Sequence, residues 1–236
     1  MRQIPRLFVD TPLFEGAAVF LEGGQAHYLG TVLRLGGGAP VHLFDDRTGD
    51  WSAAIETVTK RALVLRVEVL LRPRETVPDL WLLTAPIRRE RFAWIVEKAT
   101  ELGVARIQPV LTERANRERM KPERLRAHMV EAAEQCERTA LPELCEATGL
   151  KALLAAWPAD RALIFADEEG GVPMAAMAPA TPAAILIGPE GGFSDLERGI
   201  ILAVPSARRL TLGPRILRAD TAVVAAIAQF QAVAGA

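Results

Sequence analysis

Two short loops in this chain have the composition to hold a small ligand against bare backbone. The first runs Leu186-Ile187-Gly188-Pro189-Glu190-Gly191-Gly192-Phe193-Ser194-Asp195-Leu196-Glu197. An apolar run enters it, glycines follow, and Ser194 with Glu197 has the S-x-x-E spacing of a capping box that fixes a helix start. Glycine lets a backbone approach a ligand closely. The second loop runs Leu210-Thr211-Leu212-Gly213-Pro214-Arg215-Ile216-Leu217-Arg218-Ala219-Asp220-Thr221-Ala222. Again a strand-like run ends in Gly-Pro and leads toward a helix. In an open α/β sheet, ligands bind beyond the carboxyl ends of the strands, so two such loops can line one pocket. Neither loop has the G-x-G-x-x-G or G-x-x-x-x-G-K-[ST] spacing of the dinucleotide and phosphate fingerprints, and the first carries no lysine to reach a phosphate.

Other chemistries lack their residues. The histidines are His27, His42 and His128, and the serines are Ser52, Ser194 and Ser206. No G-x-S-x-G elbow and no H-E-x-x-H surrounds them, which argues against a serine triad or a histidine-bound metal. Cys136 and Cys145 have no C-x-x-C spacing, so neither a disulfide framework nor a zinc site is expected, and no metal is assigned. The start lacks the apolar run of a signal peptide, and no stretch of 18 apolar residues exists. The expectation is a cytoplasmic protein without a membrane span.

Certain elements must position the loops. Residues 1 to 72 read as β-rich, with Val41–Phe44 and Ala62–Leu70 as strands and turn clusters at 36–38 and 45–50. Short, closely spaced strands predict a small barrel. Arg72 to Pro78 reads as a linker. From residue 79 strands and helices alternate. Leu80–Ala85, Ile107–Leu111, Ala162–Phe165, Ala184–Ile187 and Leu210–Leu212 are strand-like. Phe92, Ile95, Val96, Ala99 and Leu102 have helical spacing closed by Gly103. Pro122 opens a helix with Leu125, Met129, Ala132, Ala133 and Cys136 on one face, and Thr221–Val233 forms a last helix. This alternation predicts an α/β domain with a mostly parallel sheet over 79–236.

The 236 residues carry a net charge of −1, which by itself argues against a basic nucleic-acid binder. The charge is segregated, however: residues 78–127 carry net +4 and residues 128–150 net −4. The excess lies in Arg88, Arg89 and Arg91 and then from Arg114 to Arg126. Arginine forks suit phosphate oxygens.

Ile187 to Gly192 followed by Leu212 to Thr221 resembles the paired cofactor loops of the SPOUT methyltransferases, and the pattern is most similar to the RsmE family. Met1-Arg2 with Pro5-Arg6, and His27 with Val32-Leu33-Arg34, resemble that family's N-terminal PUA-like domain. Lys98 to Val104, Thr112-Glu113-Arg114, and Glu131 to Cys136 with Arg138 resemble its catalytic blocks. Two departures stand out. Ala219-Asp220 replaces the usual Thr-Glu, and Ala115 with Asn116-Arg117 follows the Thr-Glu-Arg block.

The resemblance implies a PUA-like β-barrel over 1–72 and a trefoil-knotted α/β methyltransferase domain over 79–236. It implies S-adenosyl-methionine as cofactor and methylation of N3 of a uridine in small-subunit ribosomal RNA. The cofactor would sit on Ile187, Gly188, Pro189, Glu190, Gly191, Gly192, Leu212, Gly213, Ile216, Leu217, Arg218 and Thr221. Arg218 would stabilise the base as it loses its proton, with Glu190 or Asp220 accepting that proton or orienting Arg218. Arg2, Arg6, Arg34, Arg88, Lys98, Arg114 and Arg117 would contact RNA phosphates. A homodimer acting on the assembled 30S subunit is also implied. Two other readings share these residues: a related SPOUT enzyme acting on another RNA site, and an RNA-binding module without catalysis.

Overall fold

The computed structural model describes residues 4–59, 61–116, 118 and 121–235. Arg2 and Arg117 lie outside the described residues. The chain divides into two compact units, the first formed by residues 1–76 and 133–141, the second by 77–132 and 142–236.

The first unit contains β1 (Arg6–Phe8), β2 (Ala18–Glu22), α1 (Gly23–His27) running into a π-helical turn at Tyr28–Val32, β3 (Pro40–Phe44), β4 (Gly49–Val58) and β5 (Ala62–Pro73). The strands lie in the order β1-β3-β4-β5-β2, with β1 parallel to β3 and the other pairs antiparallel. Among the described pairings β1 and β2 are the two edges, so the sheet is a half-barrel. Alternation sets its buried face: Val19 and Leu21 of β2 and Leu63, Leu65 and Val67 of β5 point inward onto Leu29, Val41 and Leu43.

Strand β4 has little strand signal because Asp50, Ser52 and Glu56 interrupt it. Tertiary pairing rescues it. The Asp50 carboxylate is buried and accepts hydrogen bonds from Arg6 Nε at 3.0 Å and from Arg72 Nε at 3.2 Å. Arg6 also donates to the carbonyls of Ala133 and Arg138 at 2.7 and 2.8 Å and lies 3.8 Å from the Phe44 ring centroid. Its side chain is 8% exposed. Arg6 is therefore a structural cation and not a phosphate contact, because a guanidinium buried against two carbonyls and a carboxylate has no face left for RNA. These bonds also explain why residues 133–141 belong to the first unit, far in sequence from the β-rich region.

Asp45 organises the turn before β4. It accepts backbone N–H bonds from Leu13 at 2.8 Å, Arg47 at 3.0 Å and Thr48 at 2.7 Å, and a hydroxyl bond from Thr48 at 2.9 Å. Burial works against its charge, but the bonds from Thr48, Leu13 and Arg47 outweigh burial and hold its pKa below 3.8. A lowered native pKa stabilises the fold fully above 3.8, and that contribution disappears as pH falls through the lowered native value. Asp45→Asn is expected to cost about 2 kcal/mol at neutral pH and to flatten the acid limb of thermal unfolding below pH ~4. Unfolding curves of both proteins across pH 2–7 check this.

The second unit contains β6 (Leu80–Thr84), α2 (Arg89–Glu101), β7 (Arg106–Leu111), α3 (Pro122–Gln135, its last turn in the first unit), β8 (Glu143–Leu144), β9 (Thr148–Gly149), α4 (Leu150–Ala155), β10 (Ala162–Ala166), α5 (Met174–Met177), β11 (Ala183–Ile187), α6 (Asp195–Leu202), β12 (Ala207–Leu210) and α7 (Ala219–Ala234). The sheet is parallel, in the order β12-β10-β11-β6-β7-β8, with β9 also pairing β7. Every residue of β11 is buried, as a central parallel strand covered on both faces must be. Helix α2 buries Phe92, Ile95, Val96 and Ala99, and Gly103 at φ +74° ends it. It packs against α7, which buries Val223, Ala226, Ile227 and Phe230.

Two expectations need correction. Cys136 is exposed just past the end of α3, because the helix stops at Gln135 before that position returns to the buried face. Strand β12 covers 207–210, so Thr211 and Leu212 belong to the loop that follows. No helix among the described residues is long and apolar enough to cross a membrane, and none of their His, Cys, Asp and Glu side chains group to hold a metal ion.

Candidate cofactor cleft and charged surface

Three neighbouring parallel strands, β12, β10 and β11, end on one edge of the sheet, and the loops leaving them enclose a cleft. Its walls include Ile187, Gly188, Pro189, Glu190 and Gly192 after β11, and Leu212, Gly213, Ile216 and Leu217 after β12. Gly191, Arg218 and Thr221 are not among the lining residues. Arg218 is exposed between the lining residues Leu217 and Ala219, as the N-cap of α7.

Local chemistry explains the shape of the first loop. Gly192 N donates to Pro189 O at 2.9 Å, closing a turn, and Gly192 leaves that turn at φ +68°, a conformation that favours glycine. A Cβ there would also lie 2.8 Å from Glu168 Oε1. Gly188 leaves room for the Phe193 ring, which a Cβ would meet at 3.0 Å, and Phe193 meets Phe165 edge-on at 6.4 Å between centroids. The loop then ends in a complete capping box, with Ser194 Oγ accepting from Glu197 N and Glu197 accepting from Ser194 N.

The third wall was missed by the sequence reading. Asp167, Glu168 and Glu169 follow β10 and line the cleft, as do Phe193, Arg198, Thr211, Pro214 and Arg215. A signal existed: Asp167-Glu168-Glu169-Gly170-Gly171 is a third strand-to-glycine loop. Asp167 is buried and accepts from Arg198 Nη2 at 2.8 Å, Arg209 Nε at 2.6 Å and Glu169 N at 3.1 Å. Arg198 also pairs with Glu169, and its Nε is buried with no hydrogen-bond partner among the described residues. One carboxylate thus joins the loop after β10, helix α6 and strand β12.

The remaining predicted residues separate. Asp220 faces Arg91, with Nη1 3.6 Å from its carboxylate, and its side chain is 18% exposed. Among the described residues Arg218 pairs with neither Asp220 nor Glu190, so Asp220 does not orient Arg218; α2 holds it instead. Glu190 is exposed and lines the cleft. Lys98 pairs with Glu101 and Glu97, each at 2.7 Å, and the hydrogen bonds it donates to Glu101 and then to Glu97 raise its pKa. Lys98 thus shares its charge with two carboxylates of its own helix. Arg34 and Arg88 are exposed. Arg114 is exposed but donates to Gly191 O at 2.6 Å, so part of its guanidinium is committed to the loop.

Comparison with known proteins agrees with this geometry. Residues 74–231 match the model of the RNA methyltransferase domain, and residues 21–68 match that of the RNA methyltransferase PUA domain. The Ribosomal RNA small subunit methyltransferase E of Synechocystis is 33% identical, covering 97% of this chain and 77% of that protein. The protein of the same name from Rickettsia conorii is 29% identical, covering 95% of this chain and 93% of the relative. The crystal structure of the Neisseria gonorrhoeae Ribosomal RNA small subunit methyltransferase E bound to S-adenosyl methionine superposes with a TM-score of 0.89 at 25% identity, covering 98% of each chain. The chain belongs to the RsmE family of RNA methyltransferases.

Proposed function

We propose that this protein transfers the methyl group of S-adenosyl-methionine to N3 of a uridine in small-subunit ribosomal RNA. The observation that carries the proposal is the cleft at the ends of β10, β11 and β12, with Arg218 at the adjoining start of α7. The lining fits a cationic, partly aromatic cofactor. Glu168 and Glu190 have no ion-pair partner among the described residues, and both line the cleft, which suits a positively charged ligand. Ile187, Leu212 and Ile216 supply an apolar wall for a flat ring, and the Ile216 side chain is 85% exposed.

When bound, the cofactor supplies a methyl group activated by a sulfonium. The chain supplies alignment and charge. The loops after β11 and β12 hold the methyl donor in place, and such positioning contributes roughly 7–11 kcal/mol when both reactants are held in line. The proton on N3 must leave the base. Glu190, exposed and at the cleft, accepts it, and the Arg218 guanidinium stabilises the negative charge that develops on the base. Arg34, Arg88 and Arg114 contact RNA phosphates, and Arg2 and Arg117 join them from outside the described residues. Each contact removed is expected to reduce the slope of log binding constant against log salt by about 0.7–0.9. The working species is a homodimer in the cytoplasm, and its substrate is the assembled 30S subunit.

Labelled methyl transfer from S-adenosyl-methionine to unmodified small-subunit RNA and to 30S subunits tests the proposal. The expected product, by mass spectrometry, is a single N3-methyluridine. Methylation of another atom or another RNA class would favour the sister-enzyme reading. Cofactor binding without transfer would favour a binding module.

A further inference from the structure

The Glu197 side chain does more than close the α6 capping box. A capping box uses one carboxylate oxygen, and here Oε2 accepts from Ser194 N at 3.0 Å. Oε1 is aimed elsewhere: it accepts from Glu113 N at 2.8 Å, in the turn after β7. Glu197 is 9% exposed, so both bonds are largely shielded from water. The next residue, Arg114, lies along the glycine loop and donates from Nη1 to Gly191 O at 2.6 Å. The fit is close, since a Cβ on Gly191 would lie 3.3 Å from Arg114 Cδ. The turn at Thr112-Glu113-Arg114 is therefore tied twice to the segment that carries the glycine loop, through Arg114 to Gly191 and through Glu197 to Ser194 just after it.

We propose that Glu197 is a positioning residue for the cofactor cleft. Its second oxygen fixes the turn after β7, which places Arg114 against Gly191 and sets the shape of the glycine wall. The inference rests on the reading of this cleft as the S-adenosyl-methionine site, and it assigns that site a support outside its own loops.

The test uses the full chain with Glu197→Ala, Ser194→Ala, Arg114→Ala and the Glu197→Ala/Arg114→Ala pair. Folding is checked by circular dichroism, cofactor affinity by calorimetry and backbone opening by amide exchange. Ser194→Ala weakens the cap but leaves the Glu113 bond in place. Glu197→Ala is expected to raise the cofactor Kd and KM about tenfold, the ratio for one charge-assisted hydrogen bond, with kcat within about twofold. Exchange of the Glu113 amide should quicken by about tenfold or more. Ser194→Ala should leave that amide and the Kd near wild type. Arg114→Ala should raise Kd, and the double variant should be no weaker than the weaker single, because both act through one link. Glu197→Gln, whose amide oxygen accepts from only one of the two N–H groups, should fall between, and it replaces Glu197→Ala if that variant does not fold. Unchanged Kd in a folded Glu197 variant would overturn the proposal, and so would equal losses in Ser194→Ala and Glu197→Ala. A wild-type protein that binds no S-adenosyl-methionine would instead remove the cofactor reading itself, and this inference with it.

Discussion

Arg218→Ala is expected to lower kcat for methyl transfer about 10²–10³-fold while leaving the thermal midpoint of unfolding within about 2 °C. The kinetic loss follows from the task. In the proposed reaction a neutral uridine becomes an anion as N3 loses its proton, and a preorganised cation beside the base would stabilise that state more than the ground state. The small structural effect follows from the position. Arg218 is exposed at the N-cap of α7, makes no side-chain cap bond, and has no ion pair among the described residues. The first helical bond, from Ala222 N to Arg218 O at 2.8 Å, uses the backbone and survives the substitution. Asp220 keeps its place through Arg91 in the variant. Cofactor affinity should change little, because in the proposed reaction Arg218 acts on the base. Single-turnover methyl transfer, with calorimetry as control, checks the split between kcat and Kd. Arg218→Lys should recover part of the rate, since it keeps the charge and loses the planar fork. Retention of full activity by a folded Arg218→Ala would remove the residue from the mechanism.

Asp167→Asn is expected to cost about 3 kcal/mol of stability, a fall of roughly 6–12 °C in the thermal midpoint, and to weaken cofactor binding as well. The Asp167 side chain is 3% exposed and faces two arginines. An amide of the same size keeps the packing but removes the buried charge that faces Arg198, whose side chain is 17% exposed and whose Nε already lacks a hydrogen-bond partner among the described residues. Removing the buried charge leaves Arg198 with only the exposed carboxylate of Glu169 as its counter-charge, which is why the cost exceeds that of an exposed salt bridge. The loss in binding follows because Asp167 and Arg198 line the cleft and tie together the ends of β10 and β12 and the start of α6. Differential scanning calorimetry with and without S-adenosyl-methionine measures both terms. Arg209→Ala should cost less, because that side chain is 37% exposed and its charge can return to water.

Much of the second unit was legible in the residues themselves. Runs such as Ala184–Ile187 are short and apolar throughout, the pattern of a strand covered on both faces. The S-x-x-E spacing at Ser194 announced a helix start that the structure builds in full. These signals are local: period, cap and turn act within a few residues. The first unit was harder to read. Strand β4 carries Asp50 and Ser52 where a strand signal needs apolar residues, and it holds because Arg6 and Arg72 reach it from far along the chain.

The same division runs through the candidate site. By itself the sequence determined that two glycine loops follow strands, that Gly188 to Gly192 leaves backbone bare, and that arginines crowd the segment from 78 to 127. It determined how much charge of each sign the chain carries. Only the tertiary structure decided which charges are free. Arg6 went to Asp50 and two carbonyls, Lys98 to Glu97 and Glu101, and Asp220 to Arg91, while Arg218 stayed exposed beside the cleft. It alone brought Asp167 to the cleft and Glu197 to the turn at Glu113. The reason is physical: a charged side chain takes its role from its nearest partners and its exposure to water, and both are set by segments distant in the chain.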